Sequence, residues 1–157
     1  MNYPLLHITL NHFPIVLVPV GTGLFLFGVL LKKEALTKMG LGLFLLSGIV
    51  ILGAYFTGER AEQGFLNVLG DKVMPDTQLY IHYHEEAAEL AALAVTLLAA
   101  VSGGILWFLA KGKKMITPVW LTVGVLALLA LGTVLVTAHR GGLIHHEEIR
   151  STSSVSF

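Results

Sequence analysis

The chain has 157 residues, 55% of them hydrophobic and 13% charged, with ten basic residues balancing ten acids. A charged share about half that of a soluble domain, roughly 25%, together with a mean hydropathy of +0.78, points to an integral membrane protein. Zero net charge argues against nucleic acid as a partner, and the absence of cysteine excludes disulfides, thiolate metal sites, iron–sulfur ligation and covalent c-type haem attachment.

Four stretches reach the length of about 20 apolar residues that a bilayer crossing needs. The first runs from about residue 4 or 11 to 31. Asn2 or Asn11 is its cap, and Pro14 lies in its first turn or kinks a longer helix. It has neither a basic start nor a small-residue cleavage site, so it reads as a span of the mature protein. The second runs over 37–57, and Gly58 reads as its stop. Glu59 and Glu62 then fall beyond the helix, near the negative end of its dipole, where a cation would offset them. The third runs over 82–110. The fourth runs over 118–139, with Thr117 as cap and Pro118 at the first helical position. Gly141-Gly142 is expected to end or loosen it, so that the following segment folds back. Residues 1–150 thus form one four-helix domain, and 151–157 read as a frayed tail. Asp71, Lys72 and Pro75 belong to an ordinary loop. Trp107 and Trp120 read as interface anchors. No internal repeat, phosphate-binding loop or nucleophile elbow is legible.

The two short loops carry six lysines (Lys32, Lys33, Lys38, Lys111, Lys113, Lys114) and one acid, Glu34. The other side carries four basic residues and nine acids. The positive-inside rule therefore puts the lysine loops in the cytoplasm and both termini outside. The expected fold is all-α, an integral membrane four-helix bundle in the inner membrane.

All seven histidines (His7, His12, His82, His84, His139, His145, His146) map to the outer side, and so do Glu59, Glu62, Glu85, Glu86, Glu89, Glu147 and Glu148. One imidazole at the headgroup level is ordinary; the gathering of all seven predicts a polar mouth built from four helix ends. His12 lies deeper than His7, and five residues separate them, which is about 140° of rotation on a straight helix. In His82-Tyr83-His84-Glu85-Glu86-Ala87-Ala88-Glu89, a zincin motif would need histidine where Ala88 stands. His82, Glu86 and Glu89 share one face. His84 shares the opposite face with Ala88, Ala91, Val95 and Ser102, small residues suited to close packing in membranes. His84 is therefore the best single ligand candidate. The His145-His146-Glu147-Glu148 run is unspecific alone.

The sequence resembles a bacterial family of four-helix membrane proteins of unknown function, with the N-terminal signature His-Pro-x-x-Val-His-Phe-Pro-Ile. His7, His12, Phe13, Pro14 and Ile15 match it; the proline and valine do not. Thr57-Gly58 with Ala61-Glu62, His84-Glu85, and Gly141-Gly142 with Ile144, His146, Glu148 and Ile149 match motifs of one branch, and His145 replaces an arginine. The resemblance implies a redox setting with Rieske or cytochrome partners. It raises His7, His12, Glu62, His84, Glu85, His146 and Glu148 as site residues and lowers His82, His139 and His145.

Three readings stand open. The first is a haem b protein for electron transfer, with His12 and His84 as axial ligands from facing helices, outer carboxylates and Arg140 near propionates, and a cytochrome, Rieske protein or quinone as redox partner. The second is a non-haem iron, zinc or copper site built from the seven His and Glu candidates. The third is a metal-free subunit of a larger membrane complex or homo-oligomer, whose His and Glu respond to protons. Nothing in the sequence assigns catalysis.

Overall fold

Inside a bilayer every backbone polar group must be satisfied within the protein, which leaves helices as the spanning element for runs this apolar. In the computed structural model the described residues are 2–70, 77–114, 116–146 and 150. Asp71, Lys72, Pro75, Glu147, Glu148 and the tail 151–157 lie outside them, as does the side chain of His145. The helices are α1 (Tyr3–Leu30), α2 (Glu34–Leu69), α3 (Thr77–Ala110) and α4 (Thr117–His145). Each is long and apolar enough to cross a membrane. Each packs on its chain neighbours, α4 closes back on α1, and among the described residues no diagonal pair of helices brings its Cα atoms within 8 Å. The result is an up-down-up-down bundle of four helices. Its core holds Val18, Phe25, Leu41, Phe44, Val95, Leu98, Val123 and Ala127. Phe27, Leu52, Leu97 and Leu128 face outward, as a surface against lipid requires.

Small residues set the α1–α2 spacing. A side chain at Gly28 would collide with Thr37, and one at Gly40 with the backbone of Gly21 and Phe25. Gly48 lies in the same way against Ala99 of α3. Such positions let membrane helices approach closely.

Several helix ends differ from the sequence expectation. The first helix is continuous through Pro14 and Pro19 and is capped by Asn2, whose Oδ1 accepts from the Leu5 N–H at 3.1 Å. The second continues through Gly58 to Leu69, so Glu59 and Glu62 sit on the helix rather than beyond its end. The fourth runs through Gly141-Gly142 to His145. Both glycine positions accommodate an imidazole from a neighbouring helix, and neither acts as a stop. Ile116, not Thr117, is the α4 N-cap residue, and no side chain bonds there. Trp107 is exposed beside Lys111, but Trp120 turns inward against Phe25, with ring centroids 6.1 Å apart.

A repeat invisible in the sequence appears in the packing. The buried residues of α1 are Pro14, Val18, Gly21, Thr22, Phe25 and Gly28. At the same 77-residue offset, α3 buries Ala91, Val95, Leu98, Ala99, Ser102 and Ile105. Only the valine is shared. The second helix buries Gly40, Phe44, Ser47 and Ile51, and α4 buries Val123, Ala127, Ala130 and Val134 at a constant offset. Both hairpin turns also close alike. Lys33 N–H donates to Gly28 O at 2.8 Å and Lys113 N–H to Phe108 O at 3.2 Å. Each turn passes through one left-handed residue, Lys32 at φ 55° and Gly112 at φ 72°. The bundle is two similar helical hairpins.

Candidate functional site: a histidine- and carboxylate-lined cavity

Each hairpin is pinned near the end that carries the termini by one histidine. On α1, His7 Nδ1 lies 2.9 Å from the Ala54 carbonyl oxygen of α2. On α3, His84 Nδ1 lies 3.1 Å from the Thr137 carbonyl oxygen of α4. A carbonyl only accepts, so Nδ1 carries a proton in both rings. In each hairpin a glycine stands four residues beyond the accepting carbonyl. A Cβ at Gly58 would lie 3.5 Å from His7 Cε1, and one at Gly141 would lie 3.1 Å from His84 Cε1. Gly141 is thus a close seat for the His84 ring, whereas Gly58 leaves His7 an ordinary van der Waals contact. A tyrosine one turn before each histidine lies under an arginine, Tyr3 under Arg60 at 5.1 Å and Tyr80 under Arg150 at 4.6 Å.

The two rings then diverge in surroundings. His7 Nε2 accepts from Asn11 Nδ2 at 3.1 Å, so both its nitrogens are engaged and the ring ties α1 to α2. The residue equivalent to Asn11 on α3 is Ala88. His12, exposed, donates from Nδ1 to the Ile8 carbonyl at 2.6 Å.

These residues border a cavity of about 780 Å³ bounded by all four helices. Of the seven residues singled out from the sequence, His7, His12, Glu62, His84, Glu85 and His146 line it; Glu148 is outside the described residues. Glu59 and Glu89 line it too. Glu62 of α2 and Glu85 of α3 approach across their seam, with Glu59 nearby. Adjacent carboxylates repel unless a proton or a cation lies between them. Ile15, Ile51, Phe65, Ile81, Ala91 and Val134 supply an apolar floor and walls. Among the described residues, no three His, Asp or Glu side chains come together at metal-binding range.

The other histidines behave differently. His82 turns outward and pairs with Glu86 at 3.4 Å. His139 is exposed and not part of the lining. Arg140, expected beside the cavity, instead points along the outer α3–α4 surface, donating to the Tyr83 carbonyl at 2.8 Å. Arg150 folds back onto the end of α4, donating to the Leu143 and Ile144 carbonyls at 2.7 and 2.9 Å. Sequence reasoning missed the struts formed by Ala54, Asn11 and Thr137, because two of the three act through backbone carbonyls, which leave no residue-type signature.

No protein family, curated protein or solved structure matches this chain. The fold and the cavity define it as a multi-pass, four-helix membrane protein with a polar-rimmed cavity at one end.

Proposed function

We propose that this chain is an inner-membrane electron-transfer protein that carries haem b in the cavity, with the cavity and both termini on the extracytoplasmic side. The observation that carries this reading is His84, whose Nδ1 proton is committed to the Thr137 carbonyl. Ligating histidines are commonly oriented by such a bond from one ring nitrogen to a backbone carbonyl. His12 on α1 has the same protonation pattern and is the second axial candidate. The donor set fits haem b: imidazoles on different helices, no cysteine requirement, and a cavity volume of about 780 Å³, within the roughly 300–1,000 Å³ range of cofactor sites. Haem supplies one-electron chemistry. The protein aims the imidazoles, excludes lipid with its apolar walls, and offers Glu59, Glu62, Glu85 and Glu89 as proton-exchanging groups at the rim. A cytochrome, a Rieske protein or a quinone is the expected redox partner, in line with the resemblance to the four-helix membrane family.

A specific observation favours a second reading. Glu62 and Glu85 approach each other across the α2–α3 seam and line the same cavity as His84; these are donor types that non-haem iron, zinc or copper takes, and the side chains would have to close in on the ion to bind it. The absorption spectrum of the detergent-purified protein, before and after dithionite, separates the two. A Soret band with α and β bands that sharpen on reduction is expected. A featureless spectrum with stoichiometric metal would overturn haem in favour of the carboxylate site. A featureless, metal-free sample would overturn both and leave a metal-free subunit.

A further inference from the structure

A second concavity lies on the outside of the bundle, between α3 and α4, with a volume of about 340 Å³. Its walls are Ala87 and Leu90 of α3 and Leu129, Gly132 and Val136 of α4, and Arg140 stands at its end. Leu90 and Leu129 are each about 60% exposed, so the groove opens to the surroundings of the bundle rather than to its core. Gly132 deepens it: a side chain there would meet nothing within 4 Å. The hydroxyl of Thr133 is satisfied by the Ala130 carbonyl at 3.0 Å, so the walls offer no hungry polar group. Its aliphatic walls and its volume of about 340 Å³ suit a hydrocarbon chain.

Arg140 supplies the other half of a recognition site. One of its five N–H donors is held by the Tyr83 carbonyl, and its guanidinium lies 5.9 Å from the Tyr83 ring. Among the described residues it has no acidic partner, and Glu86 of α3 is paired with His82. A guanidinium held by the Tyr83 carbonyl, with no acidic partner among the described residues, at the polar end of an outward-facing groove matches a phosphate, which it can grip with two parallel hydrogen bonds. We propose that the α3–α4 groove binds one anionic phospholipid, with an acyl chain along Ala87, Leu90, Leu129, Gly132 and Val136 and the phosphate on Arg140.

The test is native mass spectrometry of the full chain from detergent micelles supplemented with phosphatidylglycerol or with phosphatidylcholine of the same acyl chains. One phosphatidylglycerol adduct per chain is expected, roughly fivefold or more above phosphatidylcholine, as for one charge-assisted contact. Arg140→Gln should lower it to the phosphatidylcholine level, and Gly132→Leu, which fills the groove, should lower both lipids. Arg60→Gln, at the arginine over Tyr3, should leave binding unchanged. Circular dichroism confirms that each variant is folded, and Arg140→Met, which keeps the apolar stem and removes the charge, is the fallback if Arg140→Gln is not. Wild-type lipid occupancy in folded Arg140 and Gly132 variants would overturn the proposal. So would equal binding of the two lipids, or a lipid-free dimer that Gly132→Leu dissociates.

Discussion

His84 Nδ1 is 3.1 Å from the Thr137 carbonyl oxygen, and the same imidazole rests on Gly141, one turn further along α4. A Cβ at Gly141 would sit 3.1 Å from His84 Cε1 and 3.2 Å from Nδ1. The ring therefore has no room to tolerate even a methyl group without moving. Gly142, its neighbour in sequence, has open space where a Cβ would go. Gly141→Ala is expected to cost about 1–3 kcal/mol of stability through overpacking and to displace any centre held by His84. Gly142→Ala is expected to gain a few tenths to about 1 kcal/mol from helix propensity. Thermal unfolding followed by circular dichroism reads the difference, and equal effects of the two changes would contradict the ring-seat role.

His7 and His12 should separate in the opposite way. His7 bonds across to Ala54 and along to Asn11, so it is a strut, while His12 bonds only within its own helix turn. His7→Ala is expected to lower stability by about 1–3 kcal/mol, the usual cost of losing buried hydrogen bonds. His12→Ala should leave the unfolding midpoint within about 0.5 kcal/mol of wild type, as for an exposed position, and act on cofactor retention instead. Unfolding midpoints and cofactor content measured on both variants check the split.

The four spans and the gathering of His and Glu at one end were legible because they rest on composition and charge, which the bilayer enforces directly. The extents of α2 and α4 were not. Gly58 and Gly141 look like helix stops, and only the packed structure reveals that each lies against an imidazole of the preceding helix, closely enough at Gly141 to leave no room for a side chain. The hairpin repeat was hidden for a related reason. Phe25 in one half corresponds to Ser102 in the other, and Phe44 to Ala127, so the burial pattern repeats while the residue types alternate large with small. Six of the seven site candidates line one cavity, but their roles within it depend on hydrogen bonds to backbone carbonyls, about which side-chain identity says nothing.

The two hairpin turns offer a paired test. Lys32 holds the left-handed conformation that Gly112 holds in the other turn, and a non-glycine residue there costs about 1–2 kcal/mol. Lys32→Gly is expected to raise the unfolding midpoint by the equivalent of about 0.5–1 kcal/mol, after the added freedom of the unfolded glycine. Gly112→Lys should lower it by a similar amount. A drop for Lys32→Gly would contradict the equivalence of the turns.

Ser47 and Ser102 are fully buried in the apolar core, and among the described residues their hydroxyls have no hydrogen-bond partner. A buried hydroxyl without a partner costs about 1–3 kcal/mol. Ser47→Ala and Ser102→Ala are therefore expected to be neutral or stabilising, read again as unfolding midpoints. A loss above about 1 kcal/mol in either would mean that the hydroxyl has a partner inside the bundle, such as a bound water.

The most direct test compares wild type with His84→Ala, purified side by side, by reduced-minus-oxidised absorption spectra and by iron and haem content per chain. Haem b in the wild type, and its loss in a His84→Ala protein of unchanged helicity, is the predicted result. Wild-type haem content and an unaltered spectrum in His84→Ala would contradict the central claim, as would a wild-type protein without haem or metal.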